Sequence, residues 1–488
     1  MVFKGRTVIV FVILAMFVSS VLTLTVAHPS FLGRNPAGGQ SSGASSSGTS
    51  GLTTQDLNKV AKTYDLIQNR FLTQTDHDKV MNGAINGMLE ALNDPYTTYM
   101  DPKEAKQFDE TISSSFQGIG AEVSLQDGKV TIMSPIKGSP AEKAGLRAND
   151  VIATVNGEKL DGLTLNQAVL KIRGPKGTQA KLGIVRSGTT DTIEVNVVRD
   201  DISLETVYGE MLTDQVGKIE IRQFSTNTAK RFREELNALE AKGMKGLVID
   251  VRNDPGGLLD SVVDIMENFV EKGKPIVQIE DRQGKKEATN AEGKYPVKKY
   301  PVTVLINNGS ASASEILAGA FKESAGGTLV GEKSYGKGTV QITYEKEMGD
   351  GSNIKMTVFK WLTPNGNWIH QKGIEPDVAV EPPAYYKAAP FTKKETLKPD
   401  MVSDDVKTLQ LMLGALNLKP DRTDGYFSAK TASELKAFQR LQNLPATGEA
   451  DTATMNKLEA ELIKVIKDPK NDTQLHEAVR VTEEALRK

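Results

Sequence analysis

Between Asn307 and Ile316 the chain reads Asn-Asn-Gly-Ser-Ala-Ser-Ala-Ser-Glu-Ile, which sets three hydroxyls, Ser310, Ser312 and Ser314, just after an apolar strand-like run and just before a helix-forming stretch at 317–322. The N-terminus of a helix has unpaired backbone N–H groups and the positive end of the dipole, so an oxyanion growing beside a serine there would be stabilised. The competing use of the same residues is N-capping. A serine nucleophile needs a base, and three of the four histidines, His28, His77 and His476, fall in other segments, leaving only His370 in the same region. Lysine can serve instead if burial keeps its amine neutral. Lys337 is the candidate: in Lys-Ser-Tyr-Gly-Lys-Gly-Thr-Val-Gln at 333–341, Gly336 and Gly338 allow a tight backbone approach, and Gln341 could orient the ammonium. Local chemistry does not separate the three serines. A second source of N–H groups is Arg-Asn-Asp-Pro-Gly-Gly at 252–257, between a strand-like and a helical stretch. Gly256 or Gly257, with the N–H of Ala313, would form an oxyanion hole, and a tight strand-to-helix turn is the equal alternative.

The composition narrows the chemistry. The chain has no cysteine, which removes disulfides, thiol catalysis and the commonest zinc ligands, so neither a metal nor another cofactor is expected. With 60 basic against 62 acidic residues it shows no nucleic-acid-binding surface.

These residues need elements to hold them. From 202 to 380, strands such as those at 246–250 and 301–306 alternate with helical stretches at 228–242 and 258–270, as in an α/β domain. Residues 116–200 change to short alternating strands with turns at Asn156-Gly157 and Ser187-Gly188. Within 52–92, Leu57, Val60, Tyr64 and Ile67, then Val80, Ile85, Met88, Leu89 and Leu92, recur at helical spacing, predicting two amphipathic helices that cover a core edge or pair with a second copy as a homodimer. Lys4 and Arg6 precede an apolar run at 7–27 long enough to span a bilayer, and a Gly/Ser-rich tether follows. The expected fold is therefore an α+β multidomain chain. Its parts are a membrane anchor at 1–28, a linker at 29–51, a helical cap at 52–115, a β domain at 116–200 inserted before an α/β core at 201–388, a linker at 389–403, a three-helix domain at 404–463 and a charged tail at 464–488. The positive-inside rule puts the folded domains outside the cytoplasm on a single-pass anchor.

Over 52–380 the chain resembles the carboxy-terminal processing, or tail-specific, serine peptidases. The resemblance implies that Ser312, three residues before the helix-opening Glu315, is the nucleophile, that Lys337 is the base and that Gln341 orients it; it favours Ser312 over Ser310 and Ser314. Glu315 reads as a helix-start residue. The segments Phe-Gln-Gly-Ile-Gly-Ala-Glu-Val at 116–123 and Gly-Ser-Pro-Ala-Glu-Lys-Ala-Gly-Leu at 138–146 resemble a PDZ domain. Its loop, Gln117, Gly118, Ile119 and Gly120, would donate N–H groups to a substrate's terminal carboxylate while the next strand takes up the peptide. Arg173, near the end of that module, either pairs with the catalytic domain as a switch or caps a helix C-terminus. Gly-Tyr-Phe-Ser-Ala-Lys-Thr at 425–431 and Leu-Pro-Ala-Thr-Gly at 444–448 resemble a small peptidoglycan-binding domain, in which Tyr426 and Phe427 line a groove for a cell-wall glycan or peptide, or else build the helical core. The resulting expectation is a serine endopeptidase acting near the free C-termini of extracytoplasmic proteins. The rival is a catalytically silent, wall-associated peptide-binding scaffold.

Overall fold

The strands Gly246–Asp250 and Val302–Ile306 are buried at every position, so both faces must be covered, as in parallel strands between helical layers. They are the third and fourth of a six-stranded sheet whose order follows the chain: β1 (Val207–Met211), β2 (Val216–Ile221), β3 (Gly246–Asp250), β4 (Val302–Ile306), β5 (Thr328–Gly331) and β6 (Val378–Ala379). Only β1 and β2 run antiparallel. Successive side chains point to opposite faces. Leu247, Ile249, Val304 and Ile306 pack with helices α1 (Thr228–Ala241), α2 (Leu259–Met266) and α3 (Ala313–Ala320). Val248 and Leu305 point the other way and pack with Leu475 and Ala478 of α4 (Thr473–Leu486).

That second cover is the segment the sequence presents as a charged tail, and the structure makes it part of the core. Leu475, Ala478 and Thr482 share one helix face and are buried, and Thr482 Oγ1 donates to Thr303 Oγ1 at 2.8 Å. The charges occupy the other side, where Arg480 pairs with Glu477 and Glu484.

The computed structural model describes residues 51–488 except 127, 137 and 187–191. The expected anchor at 1–28 and nearly all of the linker at 29–51 lie outside the described residues, among which no helix is long and apolar enough to cross a membrane. A second sheet sets the N-terminal strand Thr98–Met100 against the long strand Asn353–Leu362, which also pairs with Thr339–Thr343 and Pro275–Glu280. Residues 121–198 form a separate six-stranded unit with its own core around Ile132, Ile152, Leu182 and Ile184. The chain enters and leaves it through the antiparallel pair Ser115–Gly118 and Asp200–Ser203, so the module hangs on two adjacent strands. Helices Asp404–Ala415, Ala429–Leu441 and Thr452–Lys467 enclose another core around Leu409, Phe427, Leu435, Phe438 and Leu458. The helices Thr54–Arg70 and His77–Glu90 bury no residue, and their apolar stripe stays exposed at Leu57, Val60, Met88 and Leu92.

Candidate active site

The turn from β4 into α3 separates the three serines. Ser310 Oγ donates to the carbonyl of Val251 at 2.7 Å and Ser314 Oγ to the carbonyl of Asp254 at 2.9 Å, so both tie the turn to the neighbouring loop. Ser312 sits at the N-cap of α3 with φ 57°, a left-handed conformation that costs a non-glycine residue energy. Its hydroxyl is buried and finds no hydrogen-bond partner among the described residues. A buried serine hydroxyl without a partner, on strained backbone, calls for an explanation that folding alone does not supply.

Glu315 joins this serine to the lysine loop. Its fully buried carboxylate accepts from the backbone N–H of Ser312 at 2.8 Å and of Lys337 at 2.9 Å through one oxygen, and from Ser334 Oγ at 2.6 Å and the N–H of Gly336 at 2.7 Å through the other. One side chain thus fixes both partners relative to each other, which is far more than opening a helix. Burial pushes its carboxyl above the usual range, against the four donors that favour the ionised form.

Lys337 is fully buried. Burial, and next the charge of nearby Lys355, push its ammonium down to about 7, while Glu315 and Asp94 pull the other way. Lys355 itself, mostly buried on the long strand, is pushed down to about 8 by burial. The backbone of Lys337 is pinned on its other side by Trp361, whose Nε1–H donates to the Lys337 carbonyl at 2.6 Å. Gln341 is buried two strand positions beyond Thr339, with its Nε2–H donating to Thr357 Oγ1 at 2.9 Å and Thr339 Oγ1 at 3.1 Å. Its Oε1, the atom that would orient an ammonium, has no hydrogen bond here.

The oxyanion loop lies against the serine: a Cβ on Gly256 would sit 2.9 Å from Ser312 Cβ and 2.8 Å from Ala313 N. The N–H of Gly256 is engaged by Asp254 Oδ1 at 2.8 Å, whereas those of Gly257 and Ala313 carry no hydrogen bond among the described residues. Burial pushes the Asp254 carboxyl well above its usual range. The loop begins at Arg252, whose guanidinium bonds both carboxylate oxygens of Asp250 and both of Asp472, just ahead of α4. Gln474 accepts from the same guanidinium at 3.0 Å.

The remaining expected sites fall elsewhere. In the PDZ-like loop Gly118, Ile119 and Gly120 are buried. The Gly120 carbonyl accepts from Ser139 Oγ at 2.8 Å, and the N–H groups of Ile119 and Gly120 are unpaired among the described residues. Gln117 turns its side chain away, toward Asp201 at 3.3 Å. Arg173 reaches out of the module to Glu110 at 3.0 Å, with its guanidinium over the Phe116 ring, and so contacts the N-terminal helix Pro102–Ser113. Phe427 is fully buried in the three-helix core and cannot line a groove; Tyr426 is half-buried, with its hydroxyl on Asp400 at 2.6 Å and Arg422 over its ring. Reasoning from the sequence passes over Tyr96, Arg252, Lys355 and Asp472. Tyr96 brings its ring to 4.9 Å from Lys337 Nζ.

Four family models match along the chain. Residues 215–380 match peptidase family S41, residues 24–104 the activating protease CtpB N-terminal domain, residues 117–197 the PDZ domain and residues 402–458 a peptidoglycan-binding domain. The chain is 49% identical over 427 residues to the carboxy-terminal processing protease CtpB of Bacillus subtilis (strain 168), covering 87% of this chain and 88% of that one. It is 43% identical over 476 residues to the carboxy-terminal processing protease CtpA of the same strain, covering 97% and 98%. To a Staphylococcus aureus (strain COL) protein named "Probable CtpA-like serine protease" it is 35% identical over 436 residues, covering 88% and 86%.

Proposed function

Because the chain belongs to peptidase family S41 and is a serine-type carboxy-terminal processing protease, we propose that Ser312 is its nucleophile and Lys337 its general base. The observation that carries this reading is the buried hydroxyl of Ser312, without a hydrogen-bond partner among the described residues, whose backbone the single carboxylate of Glu315 ties to that of Lys337, an amine that burial pushes down to about 7. As Ser312 Oγ adds to the scissile carbonyl carbon, its proton passes to the neutral amine of Lys337 and the carbonyl electron pair moves onto oxygen. That oxygen is held by the N–H groups of Ala313 and Gly257, since the N–H of Gly256 serves Asp254. The adduct collapses as the C–N bond breaks, and the Lys337 ammonium returns the proton to the departing amine. Water then adds to the acyl ester, giving a proton to Lys337, and the C–O bond to Ser312 breaks as the ammonium returns that proton to Ser312 Oγ, releasing the acid. Gln341 orients the amine once its Oε1 is engaged. The test is labelling with a serine-reactive acylating probe together with peptide turnover. Both are expected in the parent and neither in Ser312→Ala, while Lys337→Arg, which cannot give up its charge, loses roughly 10²–10⁴-fold in turnover. Labelling of Ser312→Ala, or turnover by Lys337→Arg within about tenfold of the parent, refutes the assignment.

The unpaired amides of Ile119 and Gly120 favour capture of a free substrate C-terminus by the PDZ domain. A peptide with an apolar free C-terminus should then be cut well and its amidated twin poorly. The domains act outside the cytoplasm on the anchor at 1–28, because Lys4 and Arg6 precede its apolar run; protease added to intact spheroplasts should release a soluble fragment. The three-helix domain takes peptidoglycan on its Tyr426 side, and the exposed stripe of Leu57, Val60 and Met88 packs on a second copy.

A further inference from the structure

The base is covered by a segment from outside the peptidase region. Residues 94–97 make a turn in which Asp94 accepts from the N–H of Tyr96 at 3.2 Å and from Thr97 Oγ1 at 2.6 Å. Thr97 Oγ1 in turn accepts from the N–H of Thr357 at 3.1 Å, on the same strand residue whose hydroxyl holds Gln341. The turn is therefore fastened to the catalytic sheet next to the lysine loop, and it brings the Tyr96 ring to 4.9 Å from Lys337 Nζ. The ring is braced edge-on by His370, which stacks on Trp368, and both hold Gly338: its N–H reaches His370 Nδ1 at 3.3 Å and its carbonyl accepts from Trp368 Nε1 at 2.8 Å. Burial, with Tyr335, Asp94 and Glu315 nearby, pushes the Tyr96 phenol upward, so it stays neutral and is no rival base.

A ring face attracts an ammonium and is indifferent to a neutral amine. We propose that Tyr96 is a positioning residue for the reaction, its π face receiving the charge that appears on Lys337 Nζ when the amine takes the proton of Ser312. The attraction exists only once the proton has moved, so it lowers the barrier without tightening substrate binding. The other charged groups acting on the amine are Glu315 from α3, Lys355 from the long strand and Asp94 from the turn itself; all three are present in both states of the lysine. The N-terminal segment thus supplies part of the active site.

The inference rests on Lys337 being the base, and the experiment separates the two. Tyr96→Phe serves as the reference, and position 96 is then filled with 4-fluoro-, 3,5-difluoro- and 3,4,5-trifluorophenylalanine, which keep the ring's size while draining its face of electron density. The full-length enzyme should lose kcat stepwise, by about 3- to 30-fold across the series, at constant KM. A flat kcat across the series, or a loss confined to KM, overturns the role of Tyr96. Lys337→Ala is run alongside in the Tyr96→Phe background: a dead variant keeps the base assignment whatever the series shows, and an active one removes the base assignment and the Tyr96 inference together.

Discussion

A methyl group on Gly257 of the oxyanion loop would lie 1.9 Å from the carbonyl oxygen of Phe224 and 2.7 Å from its carbonyl carbon. One on Gly120 of the PDZ loop would meet Ser139 Cβ at 2.4 Å and Ile202 Cδ1 at 2.9 Å. On the proposed reading both loops would offer backbone N–H groups to an anion, yet one is closed on main chain and the other on side chains. The Phe224 main chain is itself bonded across the loop, its N–H to the Gly256 carbonyl and its carbonyl to the N–H of Leu258, and cannot retreat; at Gly120 the tip of Ile202 can turn, while Ser139 Cβ moves only with its own backbone. The loops also differ in how they are anchored. The loop at 252–257 is tied largely by side chains, those of Arg252, Asp250, Asp254, Ser310 and Ser314, whereas the PDZ loop is tied by main chain, the N–H of Ile136 to the Gly120 carbonyl at 2.9 Å and that of Ala141 to the Ile119 carbonyl at 2.8 Å, with the Ser139 hydroxyl and a two-strand hinge beside them. On the proposed reading, the loop that meets a transition state is crossed by polar side chains from neighbouring segments, and the loop that accepts chain ends is a main-chain turn on a hinge.

Substitution can break this contrast, and the oxyanion side should suffer most. Gly257 has φ 146°, open only to glycine, so Gly257→Ala must displace backbone and should lower kcat by roughly 10²–10³-fold with PDZ peptide affinity intact. Equal losses in turnover and peptide affinity would show the two loops to be one unit. Glu315→Gln comes next. An amide has one acceptor oxygen where four donors need two, so the spacing of Ser312 and Lys337 relaxes and kcat should fall by about 10²-fold, with unchanged KM. Acidity sharpens the contrast. The amine of Lys337 must be neutral, so turnover should rise about tenfold per pH unit up to about 7 and level off above it, while peptide capture measured by fluorescence anisotropy lacks that limb. Gly120→Ala, at φ 77° and against Ser139 Cβ, should cost the PDZ site roughly 1–2 kcal/mol, about 5- to 30-fold in Kd, and leave cleavage of a short untethered peptide unchanged. The smallest effect belongs to Lys355→Met. Removing a like charge beside Lys337 makes its amine easier to protonate, and the acid limb should move to higher pH; a limb moving lower would contradict the placement of Lys355.

What the sequence reveals of this site follows from how local the signals are. The Ser312 turn and the Gly-Lys-Gly loop are legible because each sits in a short run of small residues between regular elements. Choosing among Ser310, Ser312 and Ser314 needs the neighbouring loop, since carbonyls at 251 and 254 occupy two of the hydroxyls. The four-fold grip of Glu315 depends on donors at 334, 336 and 337 folding back onto it, and helix-capping rules see only the bond to Ser312. Tyr96 escapes notice because it lies in an N-terminal turn, and its partner is more than two hundred positions away. Phe427 and Tyr426 show the opposite limit: adjacent aromatics look alike in sequence, and helix packing alone sends one to the core. The tail at 473–486 hides a one-sided apolar stripe of Leu475 and Ala478 among charges, a pattern too short to announce what it covers.

That helix also sets a clock. Arg252 and Asp472 are separated by 220 positions, and the second face of the sheet stays bare until α4 arrives. At about 5–20 residues per second, the 135 positions from Lys337 to Asp472 leave an interval of roughly 7–27 seconds in which Ser312 and Lys337 have been made but the guanidinium at the head of the 252–257 loop lacks half its anchors. The nascent chain therefore carries Ser312 and Lys337 before the far face of its sheet is covered. A chain interrupted anywhere between the three-helix domain and α4 carries every residue of the catalytic centre and none of the cover that steadies it.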